Sequence, residues 1–442
     1  MTRKEESSFK DPGGHVFYQD GEVYRQINKQ HKDDYDKLME SGLYQELTDN
    51  NLLLEHEETD KEGEFKVIKP EKIDFISYPY EWSFSQLVEA AKLTLKIQKI
   101  ALKHGMTLKD ASSYNIQFEN NKPVFIDTLS LEKYDKGLWN AYEQFCEHFI
   151  APLALMKHTD LRMNEITRNF PEGVPMDLAS KLLPYKTRLH PRTLIHIHIL
   201  SKAQNRDFNE SKRPSKTISK PVLTRFIRHL ETTVEKLDQN QINSSEESEK
   251  LDAKLESELF EFISKSESER ATLMSAKFED LEIFESLEDT KFIFFADSPE
   301  EAEKIYNRTQ IDKLDNIATI LQDFRRLSPG IGWANKERKG LKNRNLPNLG
   351  ISLRSVQRLV LEEGIPLQMI SNETSELFDT FIVVFTTENE SIYEKEHQRN
   401  HIKYSKHVFE EEFKKNFNII EQEKVNNKEI YLLESKKNKK RK

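Results

Sequence analysis

Apolar and polar residues alternate with a period of two in "HVFYQDGEVYRQI", on both sides of Asp20-Gly21. An Asp-Gly pair between alternating runs is a strong hairpin signal. From His31 to Glu46 the pattern changes to a helical period, with Gly42 as the point where that helix breaks. "FKVIKPEKIDFISYPYEW" reads as strand, turn and strand, bounded by Pro70 and Pro79. Between Ser83 and Lys103, residues Phe84, Leu87, Val88, Ala91, Leu95 and Ile100 recur at helical spacing, with Ser83 as the expected N-cap. "NIQF" and "PVFID" predict two more strands across the polar turn "ENNK", and beyond Leu129 the pattern is mainly helical to about Gln204.

The second half changes style. The stretch from Ser201 to Lys220 is polar and basic, contains Pro214, and reads as a boundary. In the Glu-, Ser- and Lys-rich run that follows, Leu251, Leu255, Leu259 and Ile263 form a stripe at a period of four, which predicts a solvated helix. From Lys291, short apolar strands ("KFIFFAD", "IATILQD") alternate with amphipathic helices ("SPEEAEKIYNRTQ"), the pattern of a parallel sheet with right-handed crossovers. "NIIEQEKVNNKEIYLLES" predicts a closing antiparallel hairpin around Asn426-Asn427.

Composition narrows the classes. A chain of 442 residues is expected to form two or three domains, and 36% hydrophobic with 32% charged residues suits a heavily solvated surface. The longest apolar runs, "FIAPLALM" and "TFIVVF", are far short of the roughly 20 residues of a spanning helix. The polar start "MTRKEESSFK" has no apolar core of a secretory signal. One cysteine, Cys146, excludes an internal disulfide framework and a cysteine-rich zinc site. A cytoplasmic location with no membrane partner is therefore expected. The net charge of −9 gives no general pull toward nucleic acid, and the tail "KKNKKRK" reads as a solubilising terminus.

Candidate chemistry appears first in "LKDASSYNIQFENNKPVFID", where Asp110 precedes Asn115 by five residues and Asp127 closes an apolar run. Phosphoryl transfer needs a carboxylate near the nucleophile and oxygen ligands that hold magnesium on the phosphates. The spacing resembles the protein-kinase catalytic loop followed by a strand pair and a second Asp. That resemblance implies Asp110 as the base, Asn115 and Asp127 as magnesium ligands, and a nucleotide such as ATP. In the same register Arg25 stands at the phosphate-pairing lysine, and its planar fork is no substitute for a lysine point charge. Leu108 and Lys109 replace the usual His-Arg, and Thr128 replaces the glycine of the D-F-G motif. "DPGGHVF" is at most a short Gly-rich turn.

The strings "FISYPYEWSFSQL", "LKDASSYNIQF", "PVFIDTLSLE", "QFCEHFIAPLAL" and "SPGIGWANKER" together resemble a bacterial family of class I S-adenosylmethionine-dependent methyltransferases. The family implies a kinase-like N-terminal region, then a doubly wound domain that transfers a methyl group from S-adenosylmethionine to an unknown small-molecule or macromolecular acceptor. It also implies Asp297, ending "KFIFFAD", as the ribose-binding acid and Asp323, in "ILQDF", as the acid near the adenine. Acids that cap strand ends and helix starts are also common without any ligand. Such a cofactor site depends on a glycine-rich turn after the first strand. Here no glycine occurs between Gly173 and Gly330, and the expected turn is "AKFED", Ala276 to Asp280, whose acids would repel the cofactor's carboxylate. In "SPGIGWANKERKGL", Gly330 and Gly332 permit a tight turn, with Trp333, Asn335, Lys336 and Arg338 as contact residues.

His190, His196 and His198 have no neighbouring carboxylate or cysteine, so no metal site is expected there. The fold class expected is multidomain α/β: a kinase-like α+β domain over 1–215, a charged helical linker over 216–265, a degenerate Rossmann-like, doubly wound methyltransferase-type domain over 266–435, and a basic tail over 436–442. Three functional classes remain open. They are methyl transfer with the cofactor turn damaged, ATP- and magnesium-dependent phosphotransfer through Asp110, and a non-catalytic binding or scaffold protein.

Overall fold

Asp20 and Gly21 both take positive φ, 54° and 85°, the type I′ geometry whose twist matches that of the flanking strands. They join β2 (Gly14–Gln19) to β3 (Glu22–Ile27), and β1 (Thr2–Lys4), β4 (His56–Thr59) and β5 (Lys66–Pro70) complete an antiparallel sheet of order β1-β2-β3-β5-β4. A computed structural model describes residues 2–204, 218–238, 252–386 and 404–437 of the protein. The chain divides into two compact units, Met1–Ile242 with Gly330–Lys339, and Asn243–Pro329 with Gly340–Lys442.

In the first unit the helical stretch after β3 breaks at Gly42, with φ 78°, into helices Lys32–Glu40 and Leu43–Asp49. The helix Phe84–Lys103 starts at Ser83, whose hydroxyl accepts from the Gln86 N–H while Gln86 answers the Ser83 N–H, a reciprocal cap. Its apolar face, with Leu87, Ala91 and Leu95, lies at the centre of the main core. Two short pairs follow it: β6 (Met106–Leu108) with β9 (Leu131–Lys133), and β7 (Ile116–Glu119) with β8 (Lys122–Phe125).

Two expectations give way here. The segment Ile73–Tyr78 forms no strand, because side chains take its amides: Ser77 N–H donates to Gln117 Oε1 and Tyr78 N–H to Glu81 Oε2, each at 2.9 Å. The sheet uses instead the acidic stretch β4, whose charges hid it from a hydrophobic pattern. The region 216–265 also differs from a linker. Helix Lys220–Asp238 buries Leu223, Ile227, Leu230 and Val234 in the first unit's core, and helix Ala253–Lys265 buries Leu255, Leu259 and Ile263 in that of the second. Leu251, residues 205–217 of the expected boundary and residues 438–442 of the basic tail lie outside the described residues.

The second unit is built on seven strands: β10 (Arg270–Met274), β11 (Lys291–Ala296), β12 (Ile317–Leu321), β13 (Leu349–Ser352), β14 (Thr380–Thr386), β15 (Phe417–Val425) and β16 (Lys428–Ser435). Their order is β12-β11-β10-β13-β14-β16-β15. The first five are parallel, and β16 enters antiparallel between β14 and β15. Apolar runs such as Phe292–Ala296 are buried, as expected of parallel strands covered on both faces. Strand order reverses between β10 and β13, so the carboxyl ends of these strands frame a topological switch point, the usual ligand crevice of an open α/β sheet.

Candidate functional sites

Two clusters of charged side chains lie where the sequence places its candidates, one in each unit. In the first unit Asp110 follows β6 and Asp127 follows β8, so both stand at strand ends. Asp110 Oδ1 accepts from Ser112 N–H at 2.9 Å and Gln144 Nε2 at 2.8 Å. Burial raises its carboxyl above the ordinary range and the Asp127 charge adds to this, against the hydrogen bonds from Ser112, Asn115 and Gln144. Burial pushes Asp127 the same way, but Arg25, the Ser130 hydroxyl and the Leu129 N–H outweigh it and hold this carboxyl below the range. Arg25 is buried on β3, with Nη1 2.7 Å from Asp127 Oδ1 and Nη2 3.3 Å from Asp11 Oδ2. Asn115 donates to Ser130 Oγ at 3.2 Å.

The structure therefore brings Arg25, Asp110, Asn115 and Asp127 together. It also adds Asp11, from the Gly-rich turn, which sequence reading left out. The turn needs its glycine at position 14, where a Cβ would stand 2.1 Å from the Gln26 carbonyl oxygen. The arrangement fits magnesium poorly: Asp127, expected to bind it, already holds a guanidinium through Oδ1.

In the second unit the turn after β10 is made without glycine. Ser275 takes the left-handed conformation, φ 52°, that a glycine would adopt freely. The chain then runs through Lys277 into the short helical turn Phe278–Asp280. Asp280 is buried and receives Arg354 through two hydrogen bonds, of 2.8 and 2.7 Å. Asp297, directly after β11, is half-buried with its side chain largely covered, and pairs through Oδ2 with Arg358, which also reaches Ser275 Oγ at 3.3 Å. Its other oxygen, Oδ1, is buried without a hydrogen-bond partner. Burial raises the Asp297 carboxyl, and Asp323 adds to this, while Arg358 and Ser275 oppose it.

Asp323, two residues after β12, is near enough to act on Asp297 but is taken up by its own neighbours. Arg325 Nε lies 3.0 and 2.9 Å from its two oxygens. Burial would raise this carboxyl, and Arg325 more than reverses the effect. Arg354 and Arg358 were absent from the sequence candidates. Their signal was present as two arginines four apart in "LRSVQR", the first just ahead of helix Ser355–Leu361 and the second within it, which places them on one side.

Other candidates separate. Trp333 is 78% exposed, but Arg338 from the same loop is folded over the Tyr114 ring, 4.5 Å from its centroid. His196 bonds to the Tyr142 hydroxyl and His229, and His198 to Ser180 and Thr187. Among the described residues no group of three or more His, Cys, Asp or Glu side chains could hold a metal ion. Cys146 is buried, and burial raises its thiol.

No protein-family model matches the chain. Over 389 residues it is 26% identical to nodulation protein NoeA of Rhizobium meliloti (strain 1021), covering 81% of this chain and 80% of that protein. Solved structures that it is similar to include an rRNA methylase from Escherichia coli (13% identity, 57% of this chain and 88% of that one, TM-score 0.28). The magnesium protoporphyrin IX methyltransferase ChlM from Synechocystis PCC 6803, with bound SAH, is another (8% identity, 43% and 89%, TM-score 0.29). A third is the 16S rRNA methylase RmtB (14% identity, 40% of this chain, TM-score 0.29), of whose length the chain spans 61%. At these TM-scores the overlap is slight, and the doubly wound character of the second unit rests on its own strand order.

Proposed function

We propose that the second unit binds S-adenosylmethionine at its switch point and that the chain is a methyltransferase of the kind its sequence resembles, acting on an unassigned acceptor. The observation that carries this reading is the buried, unpartnered Oδ1 of Asp297 at the carboxyl end of β11. An acid in that place of a doubly wound sheet accepts hydrogen bonds from ribose hydroxyls, and a buried acceptor left unmatched costs about 1–3 kcal/mol. Bound there, the cofactor would supply an electrophilic methyl group.

The chain's own residues divide the rest. Asp297 accepts from the ribose, Asp323 flanks the adenine side, and Ser275 holds the turn open in place of glycine. Arg354 cancels the charge of Asp280, so the acidic turn repels the cofactor's carboxylate less than its sequence suggests. A thermal-shift series on the intact chain tests the reading. Stabilisation by S-adenosylmethionine that Asp297→Ala removes supports the assignment, and a folded chain indifferent to the cofactor overturns it.

A second reading, phosphotransfer in the first unit, is favoured by the opposite displacement of two neighbouring carboxyls, Asp110 upward and Asp127 downward. Such divergence separates a proton acceptor from a permanently ionised partner. On this reading the unit is kinase-like, Asp110 is the base, and Arg25 supplies at Asp127 the positive charge that magnesium would bring. ATP would then stabilise the chain equally with and without magnesium. No response to ATP sets this reading aside, and silence toward both ligands leaves a binding or scaffold role.

A further inference from the structure

The stretch from Leu178 to Gln204 is partly inverted: Leu183, Ile197 and Leu200 enter the core, but polar residues are buried and large apolar ones exposed beside them. Thr187, Thr193, His196, His198 and Ser201 are buried, whereas Tyr185 is 75%, Leu189 78% and Ile199 50% exposed, and Ile195 is also exposed. Hydrogen bonds fix this inversion. His198 is held between Ser180 Oγ at 2.8 Å and Thr187 Oγ1 at 3.0 Å, and His196 between Tyr142 at 2.8 Å and His229 at 3.1 Å. With these polar side chains locked inward, Tyr185, Leu189, Ile195 and Ile199 are left facing out. Tyr185 and Leu189 stand four apart on one short helix, and Ile195 and Ile199 four apart on another.

Charge is a separate observation. In a chain of net charge −9, Leu178 to Gln204 contains no Asp or Glu but carries Lys181, Lys186, Arg188, Arg192 and Lys202. The Arg188 guanidinium lies over the Tyr185 ring, 5.2 Å from its centroid, so cation and exposed aromatic share one place. Lys181 is paired with Asp177 outside the stretch. Arg188 and Lys202 both act electrostatically on His198, and Arg192 on His196, so the cations surround the same small bundle.

We propose that this face of the first unit docks on an anionic lipid surface, with Tyr185, Leu189, Ile195 and Ile199 entering the headgroup boundary and the basic side chains meeting lipid phosphates. Apolar side chains projecting among cations, in a stretch that itself carries no acid, match an interface that is apolar below and negative at its surface. Among the described residues no helix is long and apolar enough to cross a membrane, so the contact is peripheral. The sequence expectation of no membrane partner came from span length, the polar start and the cysteine count, and did not address such a face.

Vesicle flotation of the full chain tests this. The chain should float with vesicles of phosphatidylcholine mixed with phosphatidylglycerol, not with phosphatidylcholine alone, and salt should weaken the association. Lys186→Ala with Arg188→Ala should lower partitioning roughly 25-fold, at about 1 kcal/mol per basic residue near the surface. Tyr185→Ser with Leu189→Ser should abolish flotation while leaving the melting temperature unchanged, since both side chains are exposed. Equal binding to neutral vesicles, or none to either, overturns the proposal. So does a Leu189→Ser change that converts a dimer to a monomer in sedimentation without altering flotation, which would assign the face to a second copy of the chain.

Discussion

Arg354 closes on Asp280 through two hydrogen bonds, of 2.8 and 2.7 Å, across 74 residues of sequence. The pair ties the start of the helix after β13 to the turn after β10, and so spans the point where strand order reverses. Arg354→Ala would leave a buried carboxylate uncompensated and is expected to lower stability by about 3 kcal/mol, near the lower end for broken buried pairs because the arginine reaches solvent. Arg354→Met with Asp280→Leu should recover most of that loss, as read from urea unfolding.

Ser275 holds a left-handed backbone at φ 52° where a glycine would be unstrained. Ser275→Gly should relieve roughly 1–2 kcal/mol of that strain, offset in part by greater freedom of the unfolded chain. It also removes a hydroxyl that Arg358 touches. If the turn carries the cofactor, this substitution tightens S-adenosylmethionine binding; an affinity unchanged or weakened would place the cofactor away from the turn.

Arg25 holds Asp127 and Asp11 together under the first sheet. Because the folded-state Asp127 carboxyl is depressed, its contribution to stability is present above the unfolded value and is lost as pH falls through the folded one. Arg25→Met should cost about 3–5 kcal/mol at neutral pH. The penalty should shrink in the acid range where Asp127 takes up a proton. Unfolding midpoints measured across that range check the slope.

Asp110 predicts the opposite sign. Its carboxyl is raised in the folded chain, so the native state favours the proton and stability declines as pH rises through the folded value. Asp110→Asn should therefore be more stable than the parent at neutral pH, with the difference vanishing in acid. A residue kept at a cost in stability fits a functional role, and an Asp110→Asn chain that is less stable at neutral pH would remove this support.

Local chemistry was legible in the sequence wherever a few neighbouring residues decide the backbone. Asp20-Gly21, Ser83 and Asn426-Asn427 each set a turn or cap that the structure shows. The alternation after Lys291 likewise predicted the parallel sheet. Legibility failed where distant side chains decide. Ile73–Tyr78 loses its strand to Gln117 and Glu81, and β4 hides among acids because its pairing with β5, not its own pattern, makes it a strand.

The candidate sites show the same limit. Asp110, Asn115, Asp127 and Arg25 come together, yet their spacing gave no sign that Arg25 would occupy Asp127. Asp297 and Asp323 reach neighbouring strand ends, but the arginines that hold them come from a helix 61 residues away for Asp297 and from the next turn for Asp323. A missing glycine read as a damaged cofactor turn at Ala276 to Asp280, whereas Ser275, just before it, supplies the left-handed conformation itself.

Calorimetric titration of the intact chain with S-adenosylmethionine, on the parent and on Asp297→Ala, tests the central claim most directly. The account predicts saturable binding by the parent with one site per chain, and its loss in the folded variant. Heat no greater than dilution with the parent, or equal binding by both chains, would contradict it.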